Sequence, residues 1–148
     1  VGVPVIAAGG ITDGRSMAAA FALGAEGVQM GTRMVSAAES PVHQNWKDAI
    51  VGAKETDTVF LNRFGPGPAL RALRTEKTGT YEREGGEGVM GEFARAKEMY
   101  SGGDLESSIP LTGQVAGRID AVKPVAQVIA ETVAEFEETV KTMGKRWG

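Results

Sequence analysis

The chain has 148 residues, which suits one domain at the usual ~100 to 200 residues each and leaves no room for two. Glycine supplies 21 of them, twice the ordinary share of about 7%, so tight turns are frequent, while 42% hydrophobic and 24% charged residues suit a globular core and surface and exclude disorder and collagen. Sixteen basic against nineteen acidic residues and no cysteine argue against a grip on nucleic acid or anionic membrane and exclude disulfides and thiolate chemistry.

The expectation is therefore a cytoplasmic protein with a small or neutral partner, without a metal site, a membrane span of ~20 apolar residues or a signal peptide. The chain opens on Val1, within a run that reads as a buried strand with no preceding turn. That start suggests a piece of a longer protein.

Val3, Val5, Ile6, Ala7 and Ala8 form a continuous apolar run ending at Gly9-Gly10, the pattern of a parallel strand buried on both faces. Asp13 can then cap a helix over 14–23, with Met17, Ala20 and Phe21 at helical spacing and Gly24 suited to its C-terminal end. A second short strand, 26–30, stops at Gly31, which opens a helical segment over 32–38. Strand, helix and strand make one crossover unit.

Ser40-Pro41 resembles a helix start, with Trp46, Ile50 and Val51 as the apolar stripe of a helix to about Lys54. Residues 56–67 read as an extended excursion, broken by Gly65-Pro66-Gly67-Pro68. Leu70, Leu73 and Arg74 predict a helix over 68–77. Gly85-Gly86-Glu87-Gly88 reads as a flexible joint before a short helix over 89–100, and neither of these last two helical pieces has a strand pattern. A glycine-punctuated stretch, 109–119, contains Gly113-Gln114-Val115-Ala116-Gly117. The chain closes on a long amphipathic helix, with Val125, Val128, Ile129, Val133, Phe136, Val140 and Met143 on one face.

The chemistry-bearing pattern is the pair of glycine-rich exits, Ala8-Gly9-Gly10-Ile11 and Gln29-Met30-Gly31-Thr32, each at the C-terminal end of a strand in one crossover. In α/β barrels the loops after the last two strands and the start of a short helix commonly hold a phosphate. Glycine lets backbone N–H groups approach the anion, and Thr32 adds a hydroxyl donor. His43, the one histidine, falls near the start of a helix, where capping or packing is ordinary. Arg33 is expected to be structural, pairing with Glu39 or Asp57. Gln114, between glycines, can lay a neutral amide against a cofactor or substrate, or serve as a turn amide.

The run Val3-Pro4-Val5-Ile6-Ala7-Ala8-Gly9-Gly10-Ile11 and the run from Ala22 through Gly24-Ala25-Glu26-Gly27-Val28 to Gln29-Met30-Gly31-Thr32-Arg33 resemble the C-terminal half of the nitronate monooxygenases, formerly 2-nitropropane dioxygenases. The FMN-dependent enoyl-acyl-carrier-protein reductases are similar over the same stretch. Inosine monophosphate dehydrogenase and the hydroxyacid oxidases share the glycine exit. Glu39-Ser40, His43, Lys47, Asp57-Thr58 and Gly113 to Ile119 resemble the first two groups alone.

The resemblance implies an α/β fold, the C-terminal part of a TIM (β/α)8 barrel with strands seven and eight and additional helices. Residues 1–148 would form a partial FMN-binding domain: the phosphate-binding unit 1–38, a helical insertion 39–108, and a glycine-rich segment with the last helix, 109–148. It implies FMN held by Gly10 and by Gln29, Met30, Gly31 and Thr32, with Gly9 leaving room beside them and Gln114 next to flavin or substrate. No catalytic residue is expected in this chain, because the family's histidine lies upstream of the seventh strand. The implied reaction is oxidation of alkyl nitronates with dioxygen; hydride delivery to an enoyl thioester, or an inert fragment of either enzyme, are the alternatives. Two strands cannot close a barrel, so this piece is expected to aggregate or to form a homodimer.

Overall fold

A computed structural model describes residues 2–65, 67–85 and 88–148; Val1, Pro66 and the Gly86-Glu87 pair of the expected joint lie outside the described residues. The first unit is β1 (Ile6–Ala8), α1 (Gly14–Ala22) and β2 (Gly27–Gln29), with the strands parallel and Ile6, Ala7 and Ala8 opposite Gly27, Val28 and Gln29. Asp13 caps α1. Its carboxylate accepts from the Ser16 backbone N–H at 2.8 Å, and the Ser16 hydroxyl accepts from the Asp13 N–H at 3.2 Å, which satisfies two donors that a helix start otherwise leaves orphaned.

The expected burial of the first strand is not met in this chain: Val3 is 66% and Ile6 57% exposed. Among the described residues β1 pairs with β2 and with no other strand, so its second edge and one face have no cover.

After β2 come α2 (Thr32–Val35) and α3 (Gln44–Val51). Two corrections follow. The segment expected to be helical over 32–38 is a single turn, and α3 starts at Gln44, not at Ser40-Pro41. His43 is its cap, with Nδ1 accepting from the Asn45 N–H at 3.1 Å, while the Ser40 N–H is spent on the Ala37 carbonyl at 3.1 Å.

Residues 68–77 also differ from expectation. Strand β3 (Thr58–Leu61) pairs antiparallel with β4 (Leu70–Leu73), in the register Thr58 opposite Leu73 through Leu61 opposite Leu70. Ala72, fully buried, meets Val59 on one side and bridges to Leu111 on the other. Cross-strand packing outweighs the i, i+3 spacing of Leu70 and Leu73. Segment 39–108 thus carries a strand pair beside its helices.

Helix α4 (Glu76–Glu84) follows, then a 3-10 helix (Val89–Arg95), α5 (Ala96–Gly102), a second 3-10 helix (Gln114–Arg118) and α6 (Val125–Trp147). One core gathers Val42, Trp46, Ile50, Leu73, Met99 and Ile119. A second, around the strand pair, gathers Val59, Leu61, Ala72, Val89 and Ile109. The first unit is fastened to the rest through α1 and α6: the Phe21 and Phe136 rings lie 5.3 Å apart, and the Gly14 N–H donates to Glu135 Oε2 at 2.8 Å. A Cβ on Gly14 would collide with the α6 backbone at Phe136. Only glycine permits this approach. No helix among the described residues is long and apolar enough to cross a membrane.

Candidate functional site

Register builds the site. Because Ala8 sits opposite Gln29, the two glycine exits leave the parallel pair side by side and at the same level. Gly9 and Gly10 have φ of +90° and +77°, a left-handed conformation that a side chain would strain. They border an open groove of about 550 Å³ lined with Val5, Ala7, Ile11 and Ala20. Successive amides in such a bend form a concavity suited to an anion.

Gly31 differs. Its φ is −93°, and a Cβ there would meet no atom within 4 Å. Gly31 is exposed, and neither its φ nor crowding among the described residues asks for glycine there. Gln29 is exposed and Met30 half-buried. With α2 only one turn long, its dipole is weak support.

Thr32 reaches across the chain: its Oγ1 accepts from the Gly113 N–H at 2.7 Å. That bond brings Gln114, an exposed residue at the start of the second 3-10 helix, to the edge of the second exit. The far end of the same turn is tied to the first exit, where Arg118 Nη2 pairs with Asp13 Oδ2. Sequence reading missed this pair. Its members stand 105 residues apart, and no spacing rule connects them. Burial tends to raise the Asp13 pKa, but the Ser16 backbone and hydroxyl and the Arg118 charge outweigh it and hold the carboxyl below its usual value.

The remaining candidates turn away from the exits. Arg33 is buried, and Nη1 donates to the Ala121 carbonyl at 2.8 Å. Burial lowers its pKa against the opposing charges of Asp120 and Glu131. Its structural role agrees with expectation, though neither expected partner pairs with it: Glu39 accepts from the Val125 N–H and Asp57 from the Lys54 N–H. The His43 ring packs so closely on Gly103 that a Cβ there would collide with it, and the His43 N–H donates to the Tyr100 carbonyl at 2.8 Å. It joins α3 to α5. Trp46 is core, edge-on to Tyr100.

The model of the family described as "Nitronate monooxygenase" matches residues 1–135. The chain belongs to the nitronate monooxygenase family. Within it, a probable nitronate monooxygenase of Staphylococcus aureus (strain JH9) is 53% identical over 152 residues, spanning 95% of this chain and 41% of that protein. Among solved structures, FabK from Thermotoga maritima aligns with a TM-score of 0.89 at 45% identity, over 98% of this chain and 48% of that one. A nitroalkane oxidase from Streptomyces ansochromogenes aligns with a TM-score of 0.78 at 25% identity, over 97% and 42%. This nitronate monooxygenase family chain thus spans less than half the length of the relatives it matches.

Proposed function

We propose that this chain supplies the phosphate cradle of an FMN-dependent oxidoreductase that oxidises alkyl nitronates with dioxygen as co-substrate. In this reading β1 and β2 are strands seven and eight of a (β/α)8 barrel, whose usual phosphate site lies at the exits of those strands. The observation that carries it is the pairing of Ala8 with Gln29, which sets the left-handed Gly9-Gly10 bend beside the second glycine exit at Gly31. A cradle of this kind suits the FMN phosphate, with backbone N–H groups at Gly10 and Gly31 and the Thr32 hydroxyl as donors. Gln29 and Met30 flank it, Gly9 leaves room, and Gln114 stands at its edge. When bound, FMN supplies the electron transfer, while these residues supply position and electrostatics. In this reading no residue of this chain is assigned as base or orienting group for the substrate.

The test is Gly31→Val in the full-length polypeptide. A Cβ at 31 meets no atom within 4 Å among the described residues, so valine is expected to spare the fold while it bars the anion from donors worth about 1.5 to 3 kcal/mol each. The variant should melt as the wild type does and lose its flavin; equal flavin content in both rejects the cradle. Hydride delivery from reduced FMN to an enoyl thioester shares the same cradle, and the full-length protein assayed with a nitronate and with an enoyl thioester separates the two chemistries.

A further inference from the structure

The turn Gln114–Arg118 is anchored at three points, one in the second glycine exit and one at the helix cap that follows the first. Its leading edge donates the Gly113 N–H to Thr32 Oγ1 at 2.7 Å. At its trailing edge Arg118 pairs with Asp13, the cap that opens α1 after Gly9-Gly10. Between them Gly117 lies against the Lys54–Glu55 backbone so closely that a Cβ would collide with it. A hydroxyl has one hydrogen to give and two lone pairs to accept with. Thr32 uses a lone pair on Gly113, which leaves its hydroxyl hydrogen able to donate elsewhere.

From this geometry we infer that Thr32 is a positioning residue that couples an anion in the cradle to the order of the 113–118 turn, and so sets where Gln114 is held. The inference rests on the cradle reading above. An anion that accepts the Thr32 O–H fixes the hydroxyl rotor and polarises the oxygen, which then accepts the Gly113 N–H more strongly. Gly117 resists sideways movement, so the added order is felt along the turn. Linkage makes the effect reciprocal: whatever loosens the turn weakens the anion by the same factor.

The experiment is amide hydrogen exchange across 113–118 in the full-length protein, with and without inorganic phosphate and, separately, FMN, together with the dissociation constant of each. Wild type and Thr32→Ser should show protection of the turn rising at least about fivefold when either ligand binds, the low end of ordinary coupling. Thr32→Val should lose that rise and bind both ligands more weakly. Arg118→Gln, which leaves every cradle donor in place, should weaken phosphate in proportion to the protection its turn has lost. A near-ultraviolet spectrum like that of wild type shows each variant folded, and the serine variant supplies the comparison if valine disturbs the core. An unchanged rise in protection in Thr32→Val overturns the coupling alone, and undiminished binding there also removes Thr32 from the cradle's donors. Failure of the wild type to bind either ligand overturns the cradle, and the coupling with it.

Discussion

Single residues divide the work at the exits between conformation, clearance and charge, and Asp13 carries the charge. Its folded pKa is lowered, so the stability it contributes is present above the unfolded carboxyl value of about 3.9 and is lost as pH falls through the folded value. Asparagine caps a helix about as well as aspartate, so Asp13→Asn removes the negative charge that faces Arg118 while keeping the cap. Urea midpoints measured from pH 7 down to pH 2 should fall less steeply for the variant below about pH 4, and parallel curves exclude the pair. His43 behaves differently, because its ring caps α3 and packs on Gly103. His43→Gln in the full-length protein should keep turnover within a few-fold and cost about 1 kcal/mol of stability, the usual worth of a cap; a ~100-fold loss of turnover with flavin still bound, the scale of a missing acid or base, contradicts this.

Among the elements, α4 shows how much of a helix start is supplied from elsewhere. The Thr78 N–H donates to Thr75 Oγ1 at 3.2 Å, and the Glu76 and Lys77 N–H groups each donate at 2.9 Å to the carboxylate of Glu106, some thirty residues on. Thr75→Ala should lower stability by about 1 kcal/mol, measurable by urea unfolding; an unchanged midpoint would mean that Glu106 caps α4 unaided. The local half of this cap is a threonine three residues ahead of another, a signal passed over when 68–77 was expected to be one helix. The distant half was not legible in the sequence, and the same division runs through the fold. The crossover 6–29, its Asp13 cap, the glycine exits and α6 rest on nearest-neighbour patterns, which survive in any sequence that folds this way. Strand β4 was hidden because its pairing is decided by Val59 and Leu111, residues with no local trace at 70–73. In the site, the glycines were readable, whereas Thr32–Gly113 and Asp13–Arg118 join residues that sequence order keeps apart.

The whole molecule is unevenly covered. Both cores lie within 42–119, while the first unit leaves Ile6 57% and Leu23 91% exposed, and Ile129, Val133 and Trp147 stand out from α6. Exposed apolar edges and stripes of this kind drive association. The 148-residue polypeptide expressed alone should therefore bind FMN poorly and sediment as a dimer or larger, and Leu23→Lys with Ile129→Lys should shift it toward monomer. A yellow, monomeric preparation with one cooperative melt contradicts this.

The bond from Gly14 to Glu135 closes a loop of 121 residues, and it orders events during synthesis. Strand β1 and helix α1 leave the ribosome well before the helix that holds them is made. At roughly 5 to 20 residues per second, the glycine exits wait on the order of 6 to 24 seconds for α6, long after the strand pair and its core can form. The glycine exits are thus made well before the helix that secures them, and through that interval the exposed strand beside them is a natural target for chaperones.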